Sequence, residues 1–365
     1  MSDQVVQVND KRIRQSNLEL LRIISMFMII AMHYMTKGMK IEKLSADNSI
    51  NNVIFWIIFA FCLSSVNVYV FISGYFAIDS KWRIGKLFGL WAQVLAYSVC
   101  IPLIASAFGA MDLKTADLSV KQQIFLPVTY EHYWFATAYI MLYLISPVLN
   151  IAISHMDKKT YGTVLIALIA VFGGFKSLNP YLIPWDKYGN DVMWFIVLYL
   201  IAGYLRVHGI PFIRAQDKKA MRRTGVIIYI VFSIVTFVIA FAFSYIVRKT
   251  GRLEYYMDMT YCYNYVTILI ASLGLFIAFL NTDIKSGKYI NVIAGYTFGV
   301  YLLHDNIYFR ELWPKLLRIE QANGQWWQIL HMIICIITVF AAGILVDAIR
   351  TGIFKAFMKP RIKNN

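Results

Sequence analysis

Charge is what this sequence has least of. Only 15% of its 365 residues are Asp, Glu, Lys or Arg, against about 25% in soluble domains. Hydrophobic residues reach 59%, and mean hydropathy is +0.59. A soluble fold of this length could not bury that much apolar side chain, so the composition excludes a water-soluble globular class and calls for a bilayer as solvent. Cysteine is sparse too. The four (Cys62, Cys100, Cys262, Cys335) are scattered without metal-ligand or redox spacing, which excludes a disulfide framework and a zinc centre. Acidic residues are outnumbered, 20 against 35 Lys and Arg, for a net charge of +15. The basic residues sit in short clusters between apolar runs. That pattern fits cytoplasmic loops rather than a DNA-binding face, so nucleic acid is not an expected partner. The sequence has no internal repeat, no soluble domain and no long linker. No small-residue cleavage site follows the first apolar run, so that run is expected to be a retained span rather than a signal peptide.

A spanning helix needs about 20 mostly apolar residues. Such runs fall at 18–37, 53–77, 84–108, 132–153, 161–175, 190–207, 224–247, 265–281, 289–309 and 327–349. The expected fold is an all-α integral membrane protein, a bundle of about ten transmembrane helices. The run at 161–175 is short and ends in Gly173 and Gly174, and the mixed segment 109–131 is expected to lie on the membrane surface. Lys and Arg are denser in the segments that ten spans would place inside, above all between Arg206 and Arg223, which puts both termini in the cytoplasm. The expected organisation is a tail over 1–17, a membrane domain over 18–350 and a basic tail over 351–365.

Most spans are bland, and the seventh, with no charge at all, reads as scaffold. The first differs, because it carries Glu19, Arg22 and His33. Glu19 and Arg22 are three apart and neighbour each other on one helix face. Arg22 and His33 are eleven apart, which is three turns plus about 20°, so they share a face about 16.5 Å apart along the axis. One helix therefore presents a cation toward the cytoplasm and an imidazole toward the outside. An interfacial Arg and a boundary His would each be unremarkable alone, but ionisable groups aligned at membrane depth face a cavity or a partner. The second span is polar in its later half, with Ser64, Ser65, Asn67 and Ser73-Gly74-Tyr75; small residues here would also permit close helix packing. The ninth span ends in His304, Asp305 and Asn306, level with His33, and a His beside a carboxylate can be a tuned base. His331 and Asp347 read as lone polar residues, and His155 and His208 fall in cytoplasmic loops.

Together these pieces resemble acyltransferase family 3, membrane proteins that O-acetylate cell-surface glycans. The family's Arg-x10-His signature matches Arg22 and His33, with Glu19 where Asp is common. Ser73-Gly74-Tyr75 matches its Ser-Gly-aromatic element. Tyr133-Trp134-Phe135 and Tyr139, then Tyr143, Ser146, Pro147 and Asn150, resemble its fourth-span pattern. Phe298 to His304 resembles its late Tyr-Leu-x-His element. The resemblance implies a multi-pass enzyme of a bacterial cell membrane. Its activity would be transfer of an acyl group, usually acetyl, from cytoplasmic acetyl-CoA to a sugar hydroxyl of an extracytoplasmic or lipid-linked polysaccharide. No metal is implied, and no soluble domain is expected after the last span. By this resemblance Arg22, with Glu19, engages the CoA end of the donor, and His33 acts as general base or transient acyl carrier. Ser73, Gly74, Tyr75 and Trp134 line the cavity, and Tyr301 and His304 close it.

Two further readings stand beside this one. The external segment 248–265 is rich in tyrosine (Tyr255, Tyr256, Tyr261, Tyr263, Tyr265), which reads first as an interfacial aromatic belt and second as a sugar-stacking surface. Membrane-embedded Arg, His and Asp also mark the pathway of a secondary transporter or flippase, although the repeats common in transporters are missing here.

Overall fold

The computed structural model describes residues 15–109, 112–113, 115–179, 186–210, 217–284 and 287–358. Lys11, Arg12 and Arg14 of the expected N-terminal tail, the C-terminal residues from Lys359, and Lys114, Arg214 and Lys285 lie outside them.

The described residues form helices and no strand. In chain order these are α1 (Ser16–His33), α2 (Ile50–Cys62), α3 (Ser64–Ala77), α4 (Ile84–Ala107), α5 (Leu118–Phe125), α6 (Trp134–His155), α7 (Lys158–Ile169), α8 (Lys176–Leu178), α9 (Val192–His208), α10 (Lys218–Thr250), α11 (Glu254–Met259), α12 (Val266–Leu280), α13 (Lys288–Ala294), α14 (Thr297–His304), α15 (Phe309–Leu316), α16 (Ile319–Ala322) and α17 (Gln328–Met358). Wide π-type turns continue α1 through Tyr34–Gly38 and link α7 to α8 through Ala170–Phe175.

Among the described residues seven helical stretches are long and apolar enough to cross a membrane: Ser16–Gly38, Ile50–Ala77, Ile84–Ala107, Trp134–His155, Lys158–Leu178, Lys218–Thr250 and Gln328–Ala356. Val192–His208 and Val266–Leu280 are shorter apolar helices. The chain is thus a multi-pass membrane protein. The expected run at 289–309 departs from a single helix. A turn at Gly295 and Tyr296 divides it into α13 and α14, because Tyr296 opens the second helix and its ring-bearing neighbours Phe298 and Tyr301 face an internal cavity. The segment 109–131 carries the short amphipathic α5 rather than a span.

The spans are unequal in burial. The stretch containing α1 is 67% enclosed by protein and that of α2–α3 72%, whereas α10 is 17% enclosed. α1 contacts α2, α3, α12, α13, α14 and α17, so the helix with the ionisable face stands at the centre. α10 is the opposite case. Its outward face bears Ile227, Ile230, Val231, Ile234 and Val238, and its inward face carries the small residues Gly225, Ser233, Thr236, Ala240 and Ser244. In a bilayer the apolar effect does not separate helix from lipid. Small residues let backbones approach and gain van der Waals contact instead. α10 meets α12 this way, with a hydroxyl bond of 2.6 Å between Thr236 and Thr267.

The approach is closest at two glycines. A β-carbon on Gly225 would lie 2.6 Å from the carbonyl oxygen of Gly274, and one on Gly274 would lie 2.8 Å from that of Gly225. Gly274→Leu is expected to destabilise the bundle by about 1–3 kcal/mol through overpacking. It will lower the thermal unfolding midpoint in detergent, while Val226→Leu on the exposed face of α10 leaves it unchanged.

Candidate active site

Arg22 is held by two groups. Its Nε lies 3.7 Å from Glu19 Oε2 one turn earlier, and its guanidinium sits 5.8 Å from the centre of the Tyr69 ring on α3. The Tyr69 hydroxyl bonds Thr297 Oγ1 at 2.5 Å, and Thr297 Oγ1 donates to Ala294 O at the junction of α13 and α14. These groups fix Arg22 at the wall of a cavity of about 440 Å3 that also takes Ser73, Lys86, Gln93, Tyr139 and Tyr143. Among the described residues its cations are Arg22 and Lys86, and no carboxylate lines it. The lining therefore attracts an anion, most strongly one able to accept the several N–H donors of a guanidinium.

His33 stands at the other end of α1 and faces a second, small cavity of about 40 Å3, with Ile29, Trp134, Tyr263, Tyr301 and Asp305 among its walls. Asp305 Oδ1 lies 4.0 Å from His33 Nε2 and 4.0 Å from Arg310 Nη1. His33 Nδ1 has no hydrogen-bond partner. A carboxylate beside Nε2 favours the tautomer with its proton there, which leaves Nδ1 as the bare, basic nitrogen. His304 packs behind His33, ring centres 5.0 Å apart, and its Nδ1 donates to Val300 O at 2.7 Å. His304 is in ring contact with His33 and is not among the residues that line this cavity.

The two cavities adjoin. Tyr69, Phe135 and Phe298 line both, forming an aromatic partition between the Arg22 side and the His33 side. Of the residues singled out in the sequence, the structure gathers Arg22, Ser73, His33, Trp134 and Tyr301 around this pair of spaces. Gly74 lines a small depression that shares Ser73, Tyr139 and Tyr143 with the Arg22 cavity, and Tyr75 turns elsewhere. A β-carbon on Gly74 would stand 3.1 Å from Ala202 Cβ on α9, so the glycine serves close packing. The Tyr75 hydroxyl accepts from Arg206 Nη1 at 3.3 Å, and Arg206 also pairs with Asp79.

Two supporting residues, Trp313 and His132, went unrecognised in the sequence. Trp313 Nε1 donates to His304 O at 3.2 Å, locking the end of α14. The Tyr133 hydroxyl donates to Leu302 O and accepts from Asn306 Nδ2 at 2.7 Å. His132, just ahead of α6, donates from Nδ1 to Gln123 O at 3.1 Å and accepts from Asn306 Nδ2 and Ile307 N through Nε2, both at 3.4 Å. Burial pushes its imidazole down to about 4, so it is the neutral form these bonds require. His331 and Asp347, read as lone polar residues, are both fully engaged. His331 ties the Tyr34 hydroxyl at 3.0 Å to Leu317 O, which pins the turn after His33. Asp347 gathers Gln93, Tyr97 and Arg350 against Gly299 of α14.

Asn67, in the polar half of the second span, is a fully buried bridge. Its Oδ1 accepts from Trp194 Nε1 at 3.0 Å, and its Nδ2 donates to Tyr263 O at 2.8 Å, holding one wall of the His33 cavity. Asn67→Leu leaves a buried indole N–H and a carbonyl without partners, each costing about 1–3 kcal/mol. The expected result is a lowered unfolding midpoint in detergent, whereas Asn67→Gln recovers part of the loss.

Comparison with protein families matches residues 15–348 to the family described as acyltransferase domain, which is nearly the whole chain. No curated protein and no solved structure matches.

Proposed function

This chain belongs to the acyltransferase domain family, and from that premise we propose that it moves an acetyl group from cytoplasmic acetyl-CoA to a hydroxyl of an extracytoplasmic or lipid-linked sugar. The observation that carries the reading is the pair of adjoining cavities, one with Arg22 and the other with His33, on either side of Tyr69, Phe135 and Phe298. The Lys and Arg asymmetry of the sequence puts the Arg22 side in the cytoplasm, with both termini. The larger cavity there, with Arg22 and Lys86 and no carboxylate, suits the phosphates of CoA. The thioester end then extends past the partition toward His33.

The chemistry follows from the groups at that end. A sugar hydroxyl is a poor nucleophile at neutral pH and needs a base. The unprotonated ring nitrogen of His33 takes its proton as the oxygen bonds the thioester carbonyl carbon. Asp305, at Nε2, steadies the imidazolium so formed. The tetrahedral intermediate collapses, the carbon–sulfur bond breaks, and the CoA thiolate takes the proton from His33. The product is an acetyl ester and free CoA. The aromatic partition restricts free passage of a sugar between the cavities, which favours group transfer over the transporter alternative.

His33→Ala is expected to lower acetyl transfer by about 10²–10⁴-fold, measured as glycan acetylation in cells carrying equal amounts of protein in the membrane. Normal acetylation by the well-expressed variant would sink the assignment. The narrowness of the His33 cavity supports acetyl over longer acyl groups. Each additional methylene in such a pocket is worth about 1–3 kcal/mol of discrimination, so butyryl-CoA should be used at least tenfold less well than acetyl-CoA. Ile29→Ala, which opens one wall, should narrow that ratio in a competition between the two donors.

A further inference from the structure

The tyrosines of segment 248–265 do not all behave as a membrane belt. Tyr245, 57% exposed at the end of α10, is what a belt residue looks like. Tyr261 and Tyr263 are turned inward, Tyr261 stacked on Trp56 with ring centres 4.3 Å apart and Tyr263 on Trp134 at 5.8 Å. With Tyr188, Asn190, Tyr255 and Asp258 they converge on a cavity of about 460 Å3 at the His33 end of the bundle. That volume is in the range of small-molecule sites, about 300–1,000 Å3.

We propose that this cavity is the acceptor site, and that it takes a neutral hexopyranose unit of the glycan. The inference rests on the reading that the chain acetylates a sugar, and deepens it by naming the sugar's class and seat. A pyranose ring has an apolar face of C–H groups and a rim of hydroxyls. Four phenol rings offer flat apolar surface to the first, and Asn190, Asp258 and the phenol hydroxyls offer donors and acceptors to the second. Among the described residues no Lys or Arg lines the cavity, while the Asp258 carboxylate does. The Lys43 ammonium is shared by Asp258 and Glu254, so that group keeps one formal negative charge and the lining selects against an acidic sugar.

The cavity is also connected and held. Tyr263 lines both this space and the His33 cavity, so one ring separates a bound sugar from the base. Lys43, from the loop after α1, bonds Glu254 and Asp258 at 2.9 Å each and ties α11 to that loop. Those bonds hold its ammonium pKa above the ordinary lysine value. Behind, the buried Lys176 lies 4.5 Å from the centre of the Tyr188 ring and 3.2 Å from Asp186, which accepts from Asn264 Nδ2. The other outer depression, among Lys37, Lys40, Lys315 and Arg318, shares no residue with the His33 cavity.

The test is saturation-transfer NMR on the full-length protein in detergent. The probes are the methyl pyranosides of glucose, galactose, mannose and N-acetylglucosamine, with methyl glucuronide as the acidic counterpart. Saturation of aromatic protons is expected to reach the ring C–H groups of at least one neutral glycoside. The signal should fall at least fivefold in Tyr255→Ala and in Asn190→Ala. Tyr255 is 70% exposed and Asn190 Nδ2 bonds only the nearby Lys187 O, so both variants keep the fold. Methyl glucuronide should give a weaker signal than its neutral counterpart. Equal signal in wild type and both variants, no signal from any neutral glycoside, or a stronger one from the glucuronide overturns the proposal. Sugar binding through these residues in a protein that still transfers acetyl normally after His33→Ala would leave the site standing and remove the chemistry. The two readings therefore fail separately.

Discussion

A cation and an imidazole on one face of a helix can be held at membrane depth only where protein, not lipid, surrounds that face. This constraint explains the arrangement of the bundle. α1 occupies the centre, and α3, α13, α14 and α17 close around it. The ionisable groups on it are answered locally, Arg22 by Glu19 and the Tyr69 ring, His33 by Asp305. Helices at the rim, such as α10, carry no such obligation and can be apolar outside and small inside. The division of the late span into α13 and α14 belongs to the same logic. The break lets Thr297 reach the Tyr69 hydroxyl and brings Phe298 and Tyr301 to the cavity walls beside α1.

Much of this was legible in the sequence, and the reason is periodicity. Arg22 and His33 fall on one face because eleven residues make nearly whole turns, and the apolar runs mark out the spans. The Ser73-Gly74-Tyr75 element shows where such reading stops. Three consecutive helical residues point about 100° apart, so they cannot all line one space. Ser73 faces the Arg22 cavity, Gly74 packs against α9 beside it, and Tyr75 serves the Arg206 pair. The bridge from Trp194 through Asn67 to Tyr263 joins three distant parts of the chain, as does the bond between His132 and Asn306. No local pattern announces these. They exist because a buried polar group in a bilayer must find a partner wherever the fold brings one.

The outer tyrosines teach the converse. Composition alone could not separate an interfacial belt from a ligand surface, since both need a flat ring with a polar tip. What separates them is direction, and direction was set by residues far from the segment. Trp56 and Trp134 supply the faces on which Tyr261 and Tyr263 stack, and Lys43 holds the short helix α11 in place beside them.

The partition of Tyr69, Phe135 and Phe298 has a consequence for the cell. Two cavities facing each other through the middle of a bundle come close to making a pore. A continuous file of water there would carry protons down the electrical gradient on which an energised membrane depends. Three packed aromatic side chains interrupt that file with surface that water does not wet. The protein can thus keep its two cavities within reach of each other while the membrane stays electrically tight.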